Sequence, residues 1–230
     1  MTFIAQASAG MRANPWYSSL PGDAQNALLA GCRTVPLKSG EYLFRRGDRR
    51  NGFYCVSKGR LKASTLRENG REAILAVIEA GNWFGQMSMI SGAPHAHDVV
   101  ALENTTVLAV RPQAFETLMN DAVFARAIAQ LQSIHTSWLY RIIDDSAAYS
   151  TRARIARRLV LLASGDMSMG AAGREEIALS QEMLAMMLDI TRQTLAIELK
   201  AMVAKGAISL HYGRIQILSR DILSTLQEDD

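Results

Sequence analysis

Cysteine is nearly absent from this 230-residue sequence: Cys32 and Cys55 are the two present, and neither sits in a CxxC or other metal-ligand spacing. That scarcity excludes a disulfide-stapled scaffold and fits a reducing compartment, the cytoplasm. The sequence also lacks any apolar run approaching the roughly 20 residues of a membrane span. The segment Met1 to Gly10 has neither a basic region nor a long apolar stretch, so it does not read as a secretory signal. A strong excess of charge of one sign is missing too. The formal net charge is +3, so no global basic field announces nucleic acid, and local clusters have to be sought. What remains is 49% hydrophobic and 20% charged residues, the balance of a globular chain with a sizeable core. Its length suits one large domain or two smaller ones of about 100–150 residues.

From about Pro36 to Arg111 short β-branched or aromatic runs alternate with turns. The runs include Tyr42-Leu43-Phe44, Phe53-Tyr54-Cys55-Val56, Ile74 to Ile78 and Thr106 to Val110. Asn51-Gly52, Asn69-Gly70 and Gly81-Asn82 stand between them, and such pairs tolerate the positive φ of tight hairpins. Gly47, Gly59, Gly70, Gly81 and Gly92 recur every 11 or 12 residues, which predicts a closed or double-sheet antiparallel roll.

Glycine then disappears between Pro112 and Asp145, and proline with it after Pro112. Phe124, Ile128, Leu131, Trp138 and Ile142 recur at spacings of 3, 4 and 7, predicting one long helix with an apolar stripe. Self-association through that stripe is the simplest way to bury it; packing on the chain's own roll is the other. Asp144-Asp145-Ser146 reads as a helix end or hinge. A further helix, about Thr151 to Ser164, carries Arg152, Arg154, Arg157 and Arg158, either a solvated face or a set of phosphate contacts.

Leu179 to Lys200 reads as two short helices around a tight turn. Ser180 and Thr191 are the expected N-caps, Leu184 and Leu188 face Ile190 and Leu195, and small Ala185 lets the helices approach. This is the pattern of a helix-turn-helix, whose second helix enters the major groove N-terminus first. At that N-terminus Arg192 suits guanine O6 and N7, and Gln193 suits adenine N6 and N7. Thr194 and the helix-end amides suit phosphates, as does Lys200 further along. Beyond Gly206, Ile208 to Leu210 and Ile215 to Ile217 flank a hairpin that places Arg214 at the tip of a wing.

These segments together resemble the cyclic-AMP receptor protein/FNR (Crp/Fnr) family of bacterial regulators over nearly the full length. Gly40 to Asp48 is similar to the family's first roll motif, Phe53 to Lys62 to its next hairpin, and Thr191 to Lys200 to its recognition helix. The resemblance implies an α+β fold: a jelly-roll (double-stranded β-helix) sensor over 1–120, a dimerisation helix and hinge over 121–146, and a winged helix-turn-helix over 147–230. It implies a cytoplasmic homodimer bound to a near-palindromic DNA duplex, acting on RNA polymerase, with no membrane partner. The implied DNA-binding set is Ser180, Gln181, Thr191, Arg192, Gln193, Thr194, Ile197, Lys200, Arg214 and Arg152. The dimer set is Phe124, Ile128, Leu131, His135, Trp138 and Ile142.

Two departures from the family pattern bear on readout. Asp189 stands where the turn usually has glycine, and aspartate tolerates the left-handed conformation. Ile197 stands where the family has a second recognition arginine, which suggests a thymine methyl contact.

The sensor departs further. In cyclic-AMP binders a glutamate holds the ribose and an arginine the phosphate. In the corresponding set here, Gly85, Gln86, Met87, Ser88, Ala96 and His97, Gln86 replaces the glutamate, Ala96 the arginine and His97 the serine. A buried phosphate would lack its fixed cation, which argues against cyclic AMP in the usual mode. Two cysteines cannot hold an iron–sulfur cluster. His95, His97 or His135 as a haem ligand, and His95 and His97 with Glu103 as a metal site, remain as alternatives, the latter in a cupin-like enzyme. Two ordinary surface histidines are the plainer account. These residues assign no cofactor.

Overall fold

The computed structural model describes residues 8–168 and 173–227. The chain divides into two compact units: residues up to Thr65 with Leu75–Thr136, and Leu66–Ile74 with the chain from Ser137 onward.

The first unit opens with three short helices, α1 (Ala9–Ala13), α2 (Pro15–Ser19) and α3 (Gly22–Ala30). The β-rich run follows as β1 (Cys32–Leu37), β2 (Tyr42–Phe44), β3 (Phe53–Lys58), β4 (Arg60–Leu66), β5 (Glu72–Glu79) and β6 (Trp83–Phe84). After α4 (Gln86–Ser91) come β7 (Asp98–Ala101), β8 (Thr105–Val110) and α5 (Pro112–Met119). Two four-stranded sheets result, in the orders β1-β8-β3-β6 and β2-β7-β4-β5. Successive strands mostly alternate between the sheets, which is how a jelly roll winds. All five periodic glycines adopt positive φ, so the 11–12-residue spacing marks the turns of the roll.

Aromatic rings fill the core of this unit. Tyr17 stacks on Trp83 (5.9 Å between centroids, 10° between planes), and Phe53 stacks on Trp83 at 5.1 Å. Phe115 meets Phe124 edge-on at 6.0 Å. Phe124 belongs to α6 (Ala122–Ala148), the long helix. Its neighbours Ala127, Ile128 and Leu131 are buried in the same cluster, and Trp16 donates its indole N–H to the Ala127 carbonyl (2.6 Å).

These contacts bear on the expected dimer set. Phe124, Ile128 and Leu131 are already used within the chain. Trp138 is buried as well, its indole N–H donating to Asp166 Oδ1 (3.1 Å), and His135 and Ile142 are half-buried. A 3.6-residue period shows that one face is covered, but says nothing of what covers it. The face left open follows a different line: Ala122, Ala125, Ala129, Gln132, Thr136, Leu139 and Ile143, none of them buried. These fall at alternating spacings of three and four, the period on which coiled-coil helices pair.

In the second unit Ser150 caps α7 (Thr151–Ala163), accepting from the Ala153 amide at 3.2 Å. A single 3-10 turn, Asp166–Ser168, leads toward β9 (Glu176–Ile177). Then come α8 (Gln181–Leu188), α9 (Arg192–Ala204), β10 (Ile208–His211), β11 (Arg214–Ile217) and α10 (Arg220–Leu226). The strands form a small sheet in the order β10-β11-β9. Ile155, Leu159, Leu184, Leu195, Leu199, Met202, Ile208 and Leu223 are all fully buried and form the core of the winged helix.

Candidate nucleic-acid interface and sensor cassette

Both expected caps close their helices. Ser180 accepts from the Met183 amide (3.2 Å) at the start of α8, and Thr191 accepts from the Thr194 amide (3.0 Å) at the start of α9. Asp189 takes up the turn in the left-handed region (φ 54°, ψ 41°), as its tolerance of that conformation allows. Leu184, Ala185 and Leu188 on α8 and Leu195 and Leu199 on α9 are buried. The opposite face of α9 is bare: Arg192, Gln193, Ile197 and Lys200 are exposed, Ile197 at 59%. Thr194 is half-buried, and its hydroxyl lies 2.8 Å from that of Thr191. Ser180 is exposed beside half-buried Gln181.

The arginine cluster of α7 is not a bare basic face. Arg152 Nε donates to Glu198 Oε2 on α9 (2.7 Å), and Arg154 Nη2 donates to the Leu188 carbonyl at the end of α8 (2.7 Å). Arg157 pairs with Asp145 at 2.5 Å and lies over the Tyr149 ring. Arg158 is buried against Asp166 at 3.1 Å. Arg152, expected to hold DNA, pairs with an acid of its own domain. Residue type and spacing reveal a basic cluster, but not the acids and carbonyls brought to it by other segments.

At the wing, His211 and Arg214 form the last pair of the β10–β11 hairpin, and Tyr212-Gly213 make its turn, Gly213 at φ 67°. Arg214 pairs with Glu176 on β9 (3.0 Å), both side chains more than half exposed. Tyr212, fully exposed at the tip, is a candidate contact that the sequence reading missed. An aromatic beside the turn glycine was the available signal.

In the roll, Gly85 sits at φ 94° at the head of α4, where a Cβ would come within 2.9 Å of the Gly52 carbonyl oxygen. Gln86 is buried. Its Nε2 donates to Gln132 Oε1 (3.1 Å) and lies 2.8 Å from His135 Nδ1, while its Oε1 has no partner among the described residues. Burial lowers the His135 pKa to about 4. Met87 is 45% exposed, and Ser88 is buried with its hydroxyl 3.1 Å from His95 Nδ1. His95 Nε2 lies 2.9 Å from Asn51 Oδ1, and its ring stacks on Phe44 at 3.6 Å. His95 is therefore no surface histidine: both ring nitrogens are engaged. His97 is half-buried beside Ala96, and burial pushes its pKa, like that of His95, downward. Glu103, the third member of the metal alternative, pairs with Arg60 at 3.2 Å. Among the described residues no group of three His, Cys, Asp or Glu could hold a metal ion, and no helix is long and apolar enough to cross a membrane.

Residues 34–122 match the cyclic nucleotide-binding domain family, and residues 153–226 match the Crp-like helix-turn-helix domain family. A protein named cyclic AMP receptor protein, from Thermus thermophilus, is 22% identical over 217 residues, covering 94% of this chain and 98% of its own. The solved structure of FixK2 from Bradyrhizobium japonicum superposes with a TM-score of 0.76 at 19% identity, covering 86% of this chain and 98% of that one. The c-di-GMP-responsive regulator CLP of Xanthomonas campestris has a TM-score of 0.69 at 17% identity, covering 86% and 100%. With a cyclic nucleotide-binding roll, a long helix and a Crp-like helix-turn-helix in this order, the chain belongs to the Crp/Fnr family of transcription regulators, which are not enzymes.

Proposed function

We propose that this chain is a cytoplasmic homodimer that reads a near-palindromic DNA site and regulates RNA polymerase there, with a sensor that no longer answers to cyclic AMP. The observation that carries the DNA reading is the exposed face of α9, where Arg192, Gln193, Ile197 and Lys200 stand out from a helix otherwise packed on its own domain. Arg192 takes a guanine edge, Gln193 an adenine, Ile197 a thymine methyl and Lys200 a phosphate. Ser180, Gln181, Thr191 and Thr194 lie around the two helix N-termini, where backbone amides favour phosphates. In this reading two α6 helices pair along Ala122, Ala125, Ala129, Gln132, Thr136, Leu139 and Ile143, and the half-sites of the duplex require the two recognition helices about one duplex turn, roughly 34 Å, apart.

The loss of cyclic-AMP control rests on the cassette. Ala96 offers no cation to a cyclic phosphate, and Gln86 is already bound to Gln132 and His135. An unpaired buried phosphate costs more than backbone amides alone recover. One relative is named cyclic AMP receptor protein and one protein of this fold is described as c-di-GMP responsive, so the roll is compatible with a changed effector.

The test is selection of bound duplexes from a random pool by ligand-free protein at fixed salt. A palindrome bound at nanomolar affinity, with affinity unchanged by millimolar cyclic AMP, is the expected result. No enrichment, with or without nucleotide, sinks the DNA reading; tighter binding with cyclic AMP sinks the sensor reading.

A further inference from the structure

Four arginines within seven residues of α7 invite a phosphate role, yet none of them is exposed: Arg152, Arg154 and Arg157 are half-buried and Arg158 is buried. Two of them reach the two helices of the reading motif. Leu188 is the last residue of α8, where carbonyls have no helical partner and the helix dipole is negative. The Arg154 guanidinium donates to that carbonyl at 2.7 Å. Glu198 stands between buried Leu195 and Met202 on α9, its side chain 19% exposed, and Arg152 grips it at 2.7 Å, the length of a charge-assisted bond. One arginine thus holds the end of α8 and the other the middle of α9, both from the same stretch of α7.

We infer that Arg152 and Arg154 are positioning residues that fix the pitch of α9 for base readout and do not bind phosphate. The inference rests on the DNA-binding reading above. Bidentate contacts from Arg192 and Gln193 demand a set orientation of the helix, whereas contacts to the duplex backbone tolerate small rotations. Loosening α9 therefore lowers sequence selectivity and leaves the electrostatic part of binding intact.

The experiment measures full-length wild type, Arg152→Gln, Glu198→Ala, the double variant and Arg154→Gln on the selected duplex and on a scrambled one. Each is titrated between about 50 and 200 mM salt, across which phosphate contacts dominate the change in affinity. The ratio of selected to scrambled affinity is expected to fall about tenfold in each single variant. The double variant should fall no further than Arg152→Gln, because both changes break one pair. The slope of log affinity against log salt should match wild type throughout. A slope flatter by about one in Arg152→Gln, with the ratio intact in Glu198→Ala, is the signature of a phosphate contact and overturns the inference. So does an equal loss on both duplexes. Far-UV dichroism controls for folding. Should Arg152→Gln not fold, Glu198→Ala decides alone, since alanine suits a helix interior. A wild type that selects no duplex defeats the DNA-binding reading itself, a result visible before any variant is made.

Discussion

His135 and Asp166 are two polar residues whose burial makes them sensitive to change. Burial of His135 favours its neutral form and brings its pKa from 6.5 to about 4, while it lies 2.8 Å from the Gln86 amide. Between those values the unfolded chain binds a proton that the folded chain refuses. Stability therefore falls as pH drops from about 6.5 to about 4 and loses nothing more to this group below that. His95 and His97, both lowered by burial, act in the same direction. Urea midpoints are expected to drop steadily between pH 7 and 5, with a shallower decline in His135→Gln; identical profiles would show that this imidazole is not the group involved. Asp166 joins the Trp138 indole to the Arg158 guanidinium with almost no solvent access, itself at φ 50°. Asp166→Ala strands a buried guanidinium, and the expected cost is about 3–5 kcal/mol in chemical denaturation. A loss below about 1 kcal/mol would mean that Arg158 finds water or another acceptor.

At the scale of the element, α6 has one face buried and one face exposed. The face with Phe124, Ile128 and Leu131 belongs to the aromatic core of its own unit, and the face with Leu139 and Ile143 is exposed. The two faces respond differently to substitution. Ile128→Ala is expected to lower unfolding stability by about 2–5 kcal/mol, the usual cost of emptying a core site. Leu139→Glu together with Ile143→Glu should leave stability of the monomer unchanged and convert a dimer to monomer in sedimentation velocity, like charges facing each other along the seam. A dimer that survives this pair of changes would place the partner surface elsewhere. The same reasoning applies to α7, whose arginines read as one basic face until Glu198, the Leu188 carbonyl, Asp145 and Asp166 are brought to them.

For the molecule as a whole, two compact units with separate cores predict unfolding that is not a single step. Calorimetry should resolve two transitions. Adding the selected duplex should raise only one of them, the transition of the unit that carries α8 and α9, because a ligand stabilises the part that binds it. Both transitions moving together would mean that the units unfold as one.

Local chemistry made much of this protein legible from its residues alone. Glycines at regular spacing need turns, Ser180 and Thr191 cap the helices they precede, and Asp189 tolerates a left-handed turn. The alternation of Leu184, Leu188, Leu195 and Leu199 defines a helix-turn-helix core. Each of these depends on neighbours within a turn or two of chain. What the tertiary structure decided is which groups meet across long stretches of sequence. It placed the stripe of α6 against Trp16 and Phe53 from more than 70 residues earlier, seated His95 between Asn51 and Ser88, and gave the α7 arginines partners on α6, α8 and α9. A periodic pattern states that a face is covered and a charge states that it seeks a partner; only folding selects the partner, because burial and ion pairing depend on distance in space.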